Sequence, residues 1–179
     1  MSGFVLFATP WWVNLLILIP CVPWLLSRKE KIGLARKRLL IAALFAVAFG
    51  FVEAAVVVYL RAATGLLANP STKMLVIPAS LLAIERVREA ATMIMLAALA
   101  WLVGQTVKQQ VIVFLWAFAF WDAFYYVWLR LAIGWPGSLT TPDVLFLLPV
   151  PWIAQVWFPI LVSSLTAVAI WLRSSRLPA

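Results

Sequence analysis

The sequence predicts an all-α integral membrane protein with five transmembrane helices and a short half-helix in the outer leaflet. Of its 179 residues, 66% are hydrophobic and only 11% are charged, and the mean hydropathy is +1.07. Soluble domains are nearer half apolar and a quarter charged. Several apolar stretches reach the roughly 20 residues that cross a bilayer as a helix. A chain of this length predicts one transmembrane bundle over residues 1–179.

Five apolar segments predict the membrane-spanning helices, and turn-forming or charged residues separate them. The first segment contains Pro10, Pro20 and Pro23, so we expect a kinked helix there. The five segments cover about residues 4–26, 39–61, 80–103, 111–133 and 151–172.

A short apolar segment between the fourth and fifth spans predicts the half-helix. Thr141 is a good N-cap, Pro142 fits the first helical position, and Asp143 fits the first turn. Pro149 and Pro151 would end this helix after about two turns. We expect it either to cover an outer cavity or to lie as a plain interfacial helix.

The placement of the basic residues predicts the orientation. Six of them lie between Arg28 and Arg38, and others are Lys108, Arg173 and Arg176. With five spans, these regions share one side, which the positive-inside rule makes cytoplasmic. We therefore expect a bacterial inner-membrane protein with its N-terminus outside and its C-terminus in the cytoplasm. The basic residues that give the net charge of +8 then anchor the loops at the membrane surface, and we expect no nucleic-acid partner.

The residue counts exclude several kinds of site. The chain has no histidine, which excludes a histidine-ligated haem and a Ser-His-Asp site. Its single cysteine, Cys21, excludes an intrachain disulfide framework. No residue stands out as a nucleophile, so the catalytic residues are unknown and the sequence leaves open whether the protein is an enzyme.

Acidic residues within the predicted spans mark the candidate site. A carboxylate in hydrocarbon is costly and normally faces the interior of a helical bundle. Counted from the span ends, Glu53, Glu89 and Asp122 each lie roughly 12 Å below the outer boundary, at 1.5 Å per residue. We expect their oxygens to converge and to bind a cation. Other polar residues at helical spacing extend this network or line a ligand pocket: Glu85, Arg88, Tyr125, Tyr126, Arg130, Arg61 and Asp143.

Two functions fit this carboxylate level. Oxygen ligands suit a divalent metal ion, and closely spaced acids also bind protons, so the site would serve transport or a metal-dependent membrane reaction. Alternatively, the arginines and carboxylates form a structural salt-bridge network in an accessory subunit of a larger membrane complex. The expected partners are the lipid bilayer and either other membrane subunits or further copies of this chain.

Four strings carry a resemblance that covers about residues 50–165. They are FVEAAVVVYLR, ERVREAATMIML, WDAFYYVWLRLAIGWP and DVLFLLPVPW. Through these four strings, the chain resembles a group of small bacterial inner-membrane proteins known only as hypothetical proteins. The resemblance implies a bacterial membrane protein and implies no activity.

Overall fold

A computed structural model describes residues 7–28, 31–68 and 77–174, which are mostly helical. Two 3-10 helices, Trp11–Cys21 and Leu66–Ala68, accompany five α-helices and three strands. The α-helices are α1 (Val22–Leu26), α2 (Arg36–Ala63), α3 (Ala79–Val103), α4 (Val107–Ile133) and α5 (Trp157–Arg173). The strands are β1 (Ala8–Thr9), β2 (Pro142–Phe146) and β3 (Trp152–Gln155).

The three long helices match the predicted second, third and fourth spans to within a few residues. Of the described helices, α2 and α4 are long and apolar enough to cross a membrane. Helix α3 has 25 residues but carries four charged residues between Glu85 and Glu89. Helix α4 is central, because it packs against α2, α3 and α5.

Gly50 allows α2 and α4 to approach closely. A Cβ atom at this position would lie 2.9 Å from the backbone oxygen of Trp121, a contact that real Cβ atoms essentially never make. Small residues are common where helices pack closely. The close approach places Glu53 of α2, one turn further along, near the part of α4 that carries Asp122.

The predicted first span is mainly a 3-10 helix. Pro20 lies inside the Trp11–Cys21 helix and Pro23 lies in the first turn of α1. At about 2.0 Å per residue in the 3-10 helix and 1.5 Å in α1, the two segments extend roughly 30 Å. Val13 packs against Phe158 and Val162 of α5. Residues 4–6 of the predicted span lie outside the described residues.

The predicted half-helix is wrong, because residues 142–146 form strand β2. This strand pairs with β3, and β3 pairs with β1, in an antiparallel sheet of order β1-β3-β2. A short apolar run is compatible with both a strand and a helix. Here the segment forms a strand, because β3 provides hydrogen-bond partners for its backbone N–H and C=O groups. Since residues 152–155 form β3, α5 begins at Trp157 rather than near residue 151.

The basic segments meet at the end of the bundle opposite the sheet. Ile32 N donates to Arg173 O at 3.3 Å, and Arg36 Nε donates to Ser174 Oγ at 3.3 Å. Gln109 Nε2 donates to the oxygen of Gly33 at 3.1 Å. The first connection, the turn between α3 and α4, and the end of α5 therefore share one end of the molecule.

Candidate functional site: a carboxylate cavity

A small cavity lies near the sheet end of the bundle, between α2, α3, α4 and the β2–β3 hairpin. Its volume is about 70 Å³. All five acidic residues that the sequence marked line it, together with two arginines and two tyrosines from the same set. The lining residues are Glu53, Glu85, Glu89, Asp122, Asp143, Arg61, Arg88, Tyr125 and Tyr126. We call this space the carboxylate cavity.

Arg88 joins two of the carboxylates across two helices. Its guanidinium forms an ion pair with Glu53 of α2 and donates from Nε to Glu85 Oε2 at 2.9 Å within α3. Thr92, one turn further along α3, donates to Glu53 Oε1 at 2.6 Å. Both oxygens of Glu53 therefore accept hydrogen bonds from α3.

The hairpin closes the cavity from the other side. Leu147 N donates to Glu89 Oε2 at 2.8 Å, which ties the end of the hairpin to α3. The Tyr126 hydroxyl of α4 donates to Asp143 Oδ2 at 3.0 Å. The segment that the sequence predicted as a half-helix, either a cover or a plain interfacial helix, therefore lies beside the acids as an extended strand.

Asp122 has a partner on a fourth helix. Ser163 Oγ of α5 donates to Asp122 Oδ2 at 2.7 Å. Ser163 is buried, and the sequence prediction did not include it. Ser163 lies near the middle of the predicted fifth span, and a polar residue inside an apolar span is the signal that would have identified it.

Arg61 and Arg130 have different positions, although the sequence grouped them. Arg61 is fully buried, lines the cavity, and stacks over the ring of Trp135 at 4.6 Å. Arg130 is exposed and donates to the backbone oxygens of Gly134 and Pro136 at 2.6 Å and 2.8 Å. Arg130 therefore stabilises the turn after α4 and does not belong to the cavity, because its helix position faces outward.

Negative groups outnumber positive groups around the cavity. The described lining residues supply five carboxylates and two guanidinium groups. If every group were ionised, three negative charges would remain without a compensating positive charge among these residues. Burying uncompensated charge is so costly that such groups normally take up a proton or a cation.

Asp143 shows this effect in the hairpin. Burial raises the pKa of its carboxyl from 3.8 to about 7, and the charge of Asp122 adds to the rise. The hydrogen bonds from Tyr126 and the backbone of Val144 oppose the rise, and so does the positive charge of Arg61. A pKa raised in this way favours the protonated form of the Asp143 carboxyl below neutral pH.

The carboxylates do not form a compact metal-binding group. Within residues 7–28, 31–68 and 77–174, no three Asp, Glu, Cys or His side chains are placed to hold a metal ion. Glu53 bonds with α3, Glu89 with the hairpin, and Asp122 with α5. The arrangement thus gives no support to a metal ion held jointly by Glu53, Glu89 and Asp122.

Comparisons with known proteins give no relative for this chain. No family model, no curated protein and no solved structure matches it significantly. Its function must therefore be inferred from the carboxylate cavity itself.

Proposed function

We propose that the chain is a polytopic protein of the bacterial inner membrane, crossing five times with its N-terminus outside. Large apolar side chains on α2, α3 and α4 support this proposal, because Leu44, Leu102 and Leu131 are exposed by 71%, 83% and 71%. The 3-10 helix with α1 extends roughly 30 Å, close to the thickness of the hydrocarbon layer. The basic segments at one end fit a cytoplasmic face.

We further propose that the carboxylate cavity binds protons, or a cation in their place. The protein would then transport these bound protons or this cation across the membrane. The observation that carries the proposal is the excess of three carboxylates over arginines in the described lining. In a low-dielectric interior such an excess is stable only when protons or a cation neutralise it. Chains of acidic residues within a membrane commonly carry protons.

Protons fit the geometry better than a metal ion does. Each of the four acids Glu53, Glu89, Asp122 and Asp143 already accepts a hydrogen bond from the protein. A proton needs only one free oxygen on a carboxyl group, whereas Mg²⁺ or Ca²⁺ needs several oxygens at about 2.0–2.6 Å. Metal analysis of the purified protein separates these occupants, since protons leave no stoichiometric metal.

Infrared difference spectroscopy between pH 5 and pH 8 tests proton binding. We expect the carbonyl band of protonated carboxyl groups to appear at the lower pH. Asp122→Asn and Glu89→Gln should each remove part of the band, while Glu30→Gln, which changes the acid of the basic linker, should leave it intact. A metal-free protein without any such band would contradict the proposal.

Flux measurements test the transport step separately. Proteoliposomes with a trapped pH indicator should acidify faster than protein-free vesicles under an inward proton gradient. The rate should fall in Asp122→Asn and stay unchanged in Arg130→Gln, because Arg130 lies outside the cavity. Equal rates with and without protein would contradict transport while leaving proton binding standing.

A second function, an accessory subunit of a larger membrane complex, has one observation in its favour. Arg88 links Glu53 and Glu85, so part of the acidic set is a structural ion-pair network. Mild solubilisation followed by purification distinguishes the two functions. Partner subunits that purify in stoichiometric amounts would favour the accessory role. A chain that purifies without partners and still transports protons would favour the transport function.

A further inference from the structure

An apolar cleft adjoins the carboxylate cavity. It has a volume of about 220 Å³ and is lined by residues of the 3-10 helix Trp11–Cys21, of α3, α4 and α5, and of the β2–β3 hairpin. Its apolar walls include Leu16, Ile19, Met93, Phe114, Phe118 and Val162. A protein cavity of about 150 Å³ lined by such residues binds benzene. The cleft is therefore large enough for part of an alkyl chain.

The cleft and the carboxylate cavity share a wall. Trp121, Asp122, Leu145 and Phe146 line both spaces. At the shared wall, the apolar lining of the cleft meets the polar lining of the carboxylate cavity. A molecule with a polar head and an apolar chain is complementary to these two linings.

Two indole groups of the cleft have an N–H group without an acceptor in the described part of the chain. The Nε1–H groups of Trp121 and Trp152 are buried and find no acceptor among the residues that the structure describes. Trp121 is only 9% exposed and lies in the shared wall. Buried donors without an acceptor are uncommon and often indicate a missing water or ligand.

We propose that the cleft binds the chain of an amphiphilic alcohol whose hydroxyl group lies at the shared wall. A hydroxyl is both donor and acceptor, so it can donate to the Asp122 carboxyl and accept from Trp121 Nε1–H. An ammonium head cannot accept from Trp121 Nε1–H, and a phosphodiester head has no proton to donate to Asp122. This inference does not use the charge excess and stands apart from proton binding.

Photolabelling of the full chain in phosphatidylcholine nanodiscs tests the proposal. The probe is a twelve-carbon alcohol with a diazirine near the end of its chain, and mass spectrometry maps the labelled residues. We expect labels on Met93 and Phe118, and dodecanol should compete at least about tenfold better than dodecylamine or dodecane. Equal competition by dodecylamine would overturn the hydroxyl assignment. Labelling as strong on Leu44 and Leu102 would show ordinary bilayer contact and overturn the site.

Two variants and a control sharpen the test. Trp121→Phe removes the indole N–H, so competition by dodecanol should weaken by about fivefold. Met93→Trp narrows the cleft and should reduce labelling of Phe118 while the helical circular dichroism spectrum stays unchanged. Trp101→Phe changes an indole that is 72% exposed on α3 and should have no effect. Unchanged labelling and competition in both cleft variants would overturn the proposal.

Discussion

Arg88 is the residue on which the link between α2 and α3 depends. It contacts a carboxylate on each helix, Glu53 and Glu85, and its side chain is only 24% exposed. A buried ion pair contributes little compared with a well-packed apolar pair, but removing one partner leaves an uncompensated charge. The residues of this pair are therefore sensitive to single substitutions.

Glu53→Gln should destabilise the protein by about 1–3 kcal/mol, because Arg88 loses its ion pair with α2 and keeps only the one with Glu85. The hydrogen bond from Thr92 can persist, since glutamine retains an acceptor oxygen. Unfolding followed by circular dichroism in one detergent measures the change. Arg130→Gln, at an exposed position, should stay within about 0.5 kcal/mol of wild type. Equal stability of all three proteins would show that the ion pair contributes nothing.

Asp143 should make stability depend on pH. Its pKa is raised to about 7 by burial, so the folded state holds the proton more tightly than the unfolded state. Its contribution is full below pH 3.8 and is lost as the pH rises through about 7. Asp143→Asn, which cannot ionise, should flatten the fall of the unfolding temperature between pH 4 and pH 7. Glu30→Gln should keep the wild-type slope, and the same slope in Asp143→Asn would count against a raised pKa.

At the scale of elements, the sequence predicted the long helices well and the shorter segments poorly. Helices α2, α3 and α4 each contain more than 20 residues, and long apolar stretches bounded by turn residues define such helices. The Thr141-Pro142-Asp143 start signal is equally compatible with a strand that follows a turn. The sheet forms because β2 pairs with the nearby β3 and β3 pairs with β1, more than 140 residues earlier in the chain. Pairing with so distant a segment cannot be read from local spacing.

Local spacing also determines how much of the carboxylate cavity could be predicted from the sequence. Helical spacing and depth placed Glu53, Glu89 and Asp122 at one level, and all three line the carboxylate cavity. Their partners depend on how helices rotate against each other, so Ser163 and the backbone of Leu147 were missed. The sequence also did not predict that Arg130 points outward. Helical spacing shows that residues lie on the same face of a helix, and it does not show whether that face is buried.

The hairpin itself is open to a direct test. Val144 and Ile153 are paired residues on β2 and β3, and paired positions in antiparallel strands have Cα atoms about 4.5–5.5 Å apart. In a Cys21→Ser background, cysteines at these two positions should form a disulfide on mild oxidation, detected by loss of free thiols. The offset pair Val144 and Gln155 should crosslink far less. No preference between the two pairs would contradict the strand register.

At the scale of the whole molecule, polarity divides along the bundle axis. The acids and the sheet lie toward one end, and Lys108, Arg173 and the linker before α2 lie toward the other. Between them, the outward faces of α2, α3 and α4 are apolar. This distribution suits a membrane protein with a cytoplasmic basic end and a proton-accessible outer cavity.

The proposed orientation rests on this division and can be measured with single cysteines in a Cys21→Ser background. Ser138 is exposed between α4 and β2, and Gln105 is exposed in the turn between α3 and α4 at the opposite end. A membrane-impermeant thiol reagent should label Ser138→Cys in intact cells with an opened outer membrane. Gln105→Cys should label only after the inner membrane is permeabilised, and a reporter fused at Ala179 should be active in the cytoplasm. Labelling of both cysteines from the same side would contradict the five-span arrangement, because the two positions lie at opposite ends of α4.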